Sequence, residues 1–330
     1  MRIAAAGLGG AWTRGHLPAV VRLESERKVT LVGGADPDVQ RRAILADRLP
    51  HVPGFASVDD MLASVDCDAL VVATDPSAHA ELIALAFRQG LHVICEKPLT
   101  VGWAQHELVA RACAERVDLA LVPVHQYRYS PQWMSIARWA RCASVARIPF
   151  SLIVDLEREG TDSNAVSEWR ADSSAAGGML ADAGVHFLAL AWTIDRQLEV
   201  LGSARNSTSE SRERAAAIVR LGHGVLAIQA WNGASIRRTR VELRTRSGSI
   251  TWCDGSASVS VRGRSLRRRQ VAALSDRTHV DALYVPFYRD VVRNIGNGSW
   301  RMHRTAEALG VGRALVTLLE RAPLESGLVA

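Results

Sequence analysis

Only two of the 40 Lys and Arg residues in this 330-residue chain, Lys28 and Lys97, are lysines, which leaves 38 arginines. Where a positive charge suffices the chain uses arginine, so a lysine kept at a special position is informative. Lys97 stands in Glu96-Lys97-Pro98, at the end of the strand-like run LHVICE. A compact ammonium with three donors, whose pKa falls on partial burial, can stabilise a developing negative charge and relay a proton, and a guanidinium cannot do the second. Asp182 and His186 lie four apart in GMLADAGVHFLALAWTI, a helical pattern. That spacing predicts one helix face, on which the carboxylate biases the imidazole or both side chains grip neighbouring hydroxyls. A histidine tuned near neutrality can take up and return a proton.

A second set of residues reads as a nucleotide site. Gly7-Leu8-Gly9 follows the strand RIAAA and precedes a helix-like stretch, the context in which glycines let backbone amides approach a pyrophosphate. Asp36 ends the second strand, placed to accept from an adenosine ribose diol, which favours NAD(H) over NADP(H); Arg41 and Arg42 weigh the other way. Trp12 occupies the position of the third glycine of G-x-G-x-x-G, so the helix is expected to start later and to use Gly10 in the loop. In VATDPSAH, Asp75 suits an N-cap and Pro76 the first helical position, while Thr74 and His79 fall at the carboxyl edge of the sheet, where a cofactor contact and a structural role are about equally supported.

These residues need a parallel sheet beneath them. RIAAA, VTLVGGAD, DALVVAT, LHVICE and DLALVPV alternate with helical stretches, which predicts a doubly wound α/β Rossmann domain over residues 1–123. Beyond Val124 the rhythm changes to long strand candidates, from ARIPFSLIVDLER through GVLAIQAWNG to SASVSVRG, with turn signals at Gly222 to Gly224 and at Ser247-Gly248. Residues 124–330 are therefore expected to form an α+β domain with an open, mainly antiparallel sheet joined by hairpins, interrupted by the GMLADAGVH helix and closed by two helices.

Composition narrows the classes. Hydrophobic residues make up 48% and charged residues 22%, with no apolar run of membrane-span length, as expected of a soluble protein. The start MRIAAAGLGG is broken by glycines and reads as cytoplasmic rather than as a signal peptide. Five widely spaced cysteines, without a CxxC pair, point to buried thiols rather than disulfides or a metal site. The arginine-rich stretches at 235–240 and 262–270 lie among strand candidates and read as a solvated face or an oligomer rim, not as a nucleic-acid surface.

Taken together, Gly7-x-Gly9, Glu96-Lys97-Pro98, HQYRYSP (125–131), Trp169-Arg170 and GGMLADAGVH (177–186) resemble the glucose-fructose oxidoreductase/inositol dehydrogenase (Gfo/Idh/MocA) family across nearly the whole chain. The resemblance implies a nicotinamide enzyme acting on a sugar, amino sugar or cyclitol. It implies Lys97, Asp182 and His186 as catalytic, with Gly7, Gly9, Gly10, Asp36, Thr74, Pro76, His79, Glu96 and Lys97 around the cofactor. Arg128, Trp169 and Arg170, with Asp182 and His186, would line the substrate side; for Arg128 an ion pair and for Trp169 a core position are equally supported. Tyr129 stands where the family has phenylalanine, and Ala189 where relatives are often acidic. A homodimer or homotetramer is expected, paired through the open sheet. Two other classes share the pattern: a glycoside hydrolase using bound NAD for transient oxidation, and a non-catalytic cofactor sensor.

Overall fold

The computed structural model describes residues 1–159, 177–209, 212–253, 256–261, 264–270, 278–322 and 325–326, so Trp169 and Arg170 lie outside the described residues. The chain divides into two compact units, Met1–Gln126 with Arg277–Leu309, and Tyr127–Asp276 with Gly310–Ala330.

In the first unit, β1 (Arg2–Ala6), β2 (Thr30–Ala35), β3 (Gly54–Phe55), β4 (Ala69–Val72), β5 (His92–Cys95) and β6 (Leu121–Pro123) form one sheet in the order β3-β2-β1-β4-β5-β6. Every pairing is parallel. All of β4 and all but the first residue of β1 are buried, which is why these strands read as unbroken apolar runs rather than alternating ones. A π-helical turn, Trp12–His16, leads into α1 (Leu17–Ser25), followed by α2 (Val39–Arg48), α3 (Val58–Ser64), α4 (Pro76–Arg88) and α5 (Trp103–Glu115). The strand order reverses between β1 and β4, so the crevice that doubly wound sheets offer to ligands opens where Gly7 and Thr74 leave those strands.

Two local expectations change. The helix after the glycine loop does not start late: the Thr13 N–H already donates to the Gly9 carbonyl at 2.9 Å, and the wider π turn takes Trp12 into the interior. Asp75 is the N-cap of α4 but its carboxylate makes no capping bond, whereas Pro76 holds the first helical position as expected.

The second unit begins with a 3₁₀ turn (Gln126–Tyr129), whose first residue still belongs to the first unit, and α6 (Pro131–Val145). Next come β7 (Phe150–Glu159), a π-helical turn (Leu180–Gly184) running into α7 (Val185–Ile194), and the strands β8 (Leu198–Ser209), β9 (Arg212–Leu221), β10 (Gly224–Ala234), β11 (Arg238–Thr245), β12 (Gly248–Cys253), β13 (Ser256–Val261) and β14 (Arg264–Gln270). With β15 (Glu325–Ser326) they form a sheet ordered β14-β13-β12-β11-β7-β10-β9-β8-β15. It is antiparallel except at β7–β10 and β8–β15. Hairpins join β8 to β9 to β10 and β11 to β12 to β13 to β14, but β7 inserts between β11 and β10 and runs parallel to β10. Along β7 fully and partly buried positions alternate, the mark of a sheet covered more fully on one face.

The helices α8 (Thr278–Asn294) and α9 (Gly298–Arg321) change the expected boundary. Everything past residue 123 was expected in the second domain, yet Arg277–Leu309 belongs with the first unit. The cause is packing: Tyr284, Phe287, Tyr288 and Val291 of α8 are buried there. Among the cysteines, Cys95 and Cys113 are buried, Cys67 and Cys253 half-buried and Cys142 exposed, so the expectation of buried thiols holds for only part of the set. No helix among the described residues is long and apolar enough to cross a membrane.

Candidate active site

Gly7 sets the geometry of the first unit's site. Its φ of +87° is one that L side chains rarely adopt, and a Cβ there would lie 2.7 Å from the Ala73 carbonyl and the Thr74 nitrogen. The loop can therefore pass directly against the end of β4 only with glycine. Around it stand two guanidinium groups: Arg41 lies 3.5 Å from the Cβ position of Gly9, and Arg14 lies 2.8 Å from that of Gly10. Asp36 is buried beneath the loop, where Oδ2 accepts from the Leu8 N–H at 2.8 Å and Oδ1 from the Asp38 N–H at 2.9 Å. Arg41 reaches the same carboxylate at 3.4 Å, and Arg42 donates to the carbonyls of Asp36 and Pro37 at 2.7 and 2.9 Å.

Farther along the same edge, His79 is buried with both ring nitrogens on backbone carbonyls, Pro98 at 2.9 Å and Thr74 at 3.1 Å. Burial holds the ring's pKa down, so a neutral imidazole donates to one of the two carbonyls. Glu96 is buried, and its Oε1 accepts from Tyr284 Oη at 2.5 Å and from His16 Nε2 at 3.1 Å, while Oε2 accepts from the Lys97 N–H at 3.1 Å. Burial alone would raise this carboxyl, but the His16 hydrogen bond, the neighbouring positive charge and the Tyr284 hydroxyl outweigh it and bring the pKa to about 2. Lys97 follows β5 and is half-buried.

In the second unit Asp182 lies within the π-helical turn, not on a regular α-helix as its spacing suggests, and His186 follows in the first turn of α7. The His186 ring packs on Tyr127 with centroids 4.4 Å apart, and Tyr127 continues to Trp133 at 5.5 Å and Trp133 to Phe187 at 5.0 Å. Burial raises the Tyr127 phenol; Asp182 adds to the rise, and Arg158 and Arg237 oppose it. Tyr127 thus packs on His186 and feels the Asp182 charge, although only its neighbour Arg128, half-buried in the same turn, was singled out in the sequence. The Gly177-Gly178 pair also acquires a reason. The Glu213 carboxylate accepts from the Met179 N–H at 2.8 Å and pairs with buried Arg205 at 3.1 Å, and a Cβ on Gly178 would sit 2.2 Å from Glu213 Oε2.

Residues 1–123 match the model of the oxidoreductase family with an NAD-binding Rossmann fold, GFO_IDH_MocA. The D-xylose 1-dehydrogenase (NADP(+)) 2 of Haloferax volcanii is 30% identical over 125 residues, 38% of this chain and 37% of the relative. The inositol 2-dehydrogenase of Leifsonia xyli subsp. xyli is 38% identical over 101 residues, 30% of this chain and 29% of the relative. The chain thus matches about a third of the length of these relatives. Over its whole length it shares a fold with a solved 3-ketoreductase from Actinomadura kijaniata in complex with NADP and TDP-benzene, at TM-score 0.80, 18% identity and 98% coverage of both chains.

The family's cofactor can be tested against the residues present. The missing Cβ at Gly7, the guanidinium groups of Arg14 and Arg41, and the buried indole Nε1 of Trp12, which has no hydrogen-bond partner among the described residues, suit a pyrophosphate-bearing dinucleotide at this edge. Among the described residues no group of three His, Cys, Asp or Glu could hold a metal ion.

Proposed function

We propose that the chain is an NAD(P)-dependent oxidoreductase acting on a secondary alcohol, or the matching ketone, of a sugar, amino sugar or cyclitol. The observation that carries this reading is the carboxyl edge of the first sheet, where a glycine turn without room for a Cβ lies two strands from Lys97 in the order β1-β4-β5. A bound nicotinamide supplies the hydride donor or acceptor. The loop from Gly7 to Gly10 holds the pyrophosphate with its amides, helped by Arg14 and Arg41. Lys97 stabilises the alkoxide or passes its proton, and His186 takes the carbinol proton in oxidation and returns it in reduction. Asp182 orients His186 or grips a substrate hydroxyl, with Arg128, Trp169 and Arg170 on the substrate side.

Within this reading NAD(H) is favoured, because the Asp36 carboxylate at the end of β2 accepts from a ribose hydroxyl and repels a 2′-phosphate. Arg41, whose side chain is 50% exposed, supplies the opposite influence, and the D-xylose relative is named for NADP. The protein acts as a cytoplasmic homodimer or homotetramer joined through the open sheet face, which exposes Ile218 and Trp231; sedimentation giving only a monomer removes that part.

The experiment is a screen for reduced nicotinamide by absorbance, with NAD and NADP, across sugars, nucleotide sugars, aminoglycosides and inositols at mildly alkaline pH. Net reduction with at least one polyol is expected. Sugar release without net reduction would instead indicate a hydrolase, and cofactor binding without either product would indicate a sensor.

A further inference from the structure

Behind the proposed lysine lies a polar cluster that the catalytic reading does not use. His16 is fully buried; its Nε2 lies 3.1 Å from Glu96 Oε1 and its Nδ1 2.7 Å from Tyr288 Oη. Tyr284 Oη donates to the same Glu96 oxygen at 2.5 Å, and the other carboxylate oxygen accepts the Lys97 N–H at 3.1 Å. Each ring nitrogen thus has one polar neighbour, the Glu96 carboxylate at Nε2 and the Tyr288 hydroxyl at Nδ1. The rings enclose the cluster: Trp12 stacks on His16 at 5.8 Å and 14°, while Tyr284 and Tyr288 meet it edge-on at 4.9 and 5.8 Å. Gly15 makes room for this, since a Cβ there would stand 2.5 Å from the Tyr284 ring.

The cluster costs more than an apolar one of the same shape. A carboxylate taken out of water must be hydrogen-bonded, and an apolar replacement of a buried ionic group is often as stable or more so. What the polar version supplies is direction: three donors arriving from the glycine-loop helix, from α8 and from the Lys97 amide leave Glu96 one orientation. It also joins Trp12, at the glycine loop, to the residue that bears the ammonium. We infer that His16, Tyr284 and Tyr288 are positioning residues, which fix Glu96 and through it the backbone amide and side chain of Lys97 at the carboxyl edge of the sheet. The inference rests on the oxidoreductase reading only for the use to which Lys97 is put, not for its placement.

The scarcity of lysine allows a test without a substrate. Brief labelling with acetic anhydride, followed by peptide mass spectrometry, gives the rate at Lys97 relative to that at Lys28, which lies outside the cluster and serves as an internal reference. Tyr284→Phe keeps the ring and removes the donor; His16→Phe keeps an aromatic ring and removes both nitrogens; Glu96→Gln keeps the size and removes the charge. Each should change the Lys97-to-Lys28 ratio by about fivefold, the scale of one hydrogen bond, with the melting temperature of Tyr284→Phe near that of wild type. Should Glu96→Gln or His16→Phe fail to fold, Tyr284→Phe and Tyr288→Phe decide. An unchanged ratio in folded Tyr284→Phe and Tyr288→Phe overturns the inference. Once a substrate is known, Tyr284→Phe should lower kcat with little change in cofactor KM. A changed ratio in a protein that reduces no nicotinamide would leave the positioning intact and remove the oxidoreductase reading instead.

Discussion

The Asp36 carboxylate accepts from two backbone amides. One oxygen braces the Leu8 amide and the other the Asp38 amide, while its position at the end of β2 puts negative charge where an adenosine ribose is expected. Replacing it with serine keeps a hydroxyl acceptor and removes one of the two carboxylates beside Arg41, leaving Asp38 at 3.4 Å. Asp36→Ser should therefore shift the ratio of NADPH to NADH affinity, read by fluorescence titration, about tenfold toward NADPH, the equivalent of ~1.4 kcal/mol. A wild-type protein that already binds NADPH tenfold tighter would contradict the charge argument. Residues of this kind were legible because their signal is local: a glycine turn, a strand end, a rare lysine. Tyr127, His16, Tyr284 and Tyr288 were not. His16 meets Tyr288 across 272 residues of sequence, and nothing in the local pattern of either reports that the two touch.

Elements were legible where burial imposes a period. The five longer strands of the first sheet lie inside the runs read from the sequence, whereas β3 is two residues long and gives no periodic signal. Regular helix was expected at both functional helix starts, and both open instead with a π turn, at Trp12–His16 and at Leu180–Gly184. A single extra residue per turn leaves an apolar pattern nearly unchanged, so the sequence does not distinguish the two. Ahead of the second turn, Gly178 adopts a φ of +59° with the Glu213 carboxylate against its α-carbon. Burial raises the Glu213 pKa, with the Asp182 charge adding and the Met179 N–H and Arg205 opposing. Gly178→Ala must displace that carboxylate and strain the backbone as well, and should cost about 2 kcal/mol or more in stability. Chemical denaturation measures this; a variant as stable as wild type would show that the Glu213 contact adapts freely.

At the scale of the molecule, the two-sheet architecture follows from the change of rhythm near Val124, and the nine-stranded sheet is mainly antiparallel as expected. The return of α8 to the first unit was hidden, because its apolar stripe predicts burial without saying against which sheet. Three arginines of the second sheet are ion-paired. On β11, Arg240 pairs with Asp155 and Glu242, Arg244 with Glu242, and Arg238 with Glu157. The central claim is hydride transfer with proton handling by Lys97 and His186. Its most direct test is steady-state turnover of wild type, Lys97→Ala, Lys97→Arg and His186→Ala on a polyol found in the screen, with cofactor affinity measured alongside. Each of the three variants should lose at least ~100-fold in kcat while binding the cofactor normally, Lys97→Arg nearly as badly as Lys97→Ala. Near-normal turnover in Lys97→Ala and His186→Ala would contradict the account.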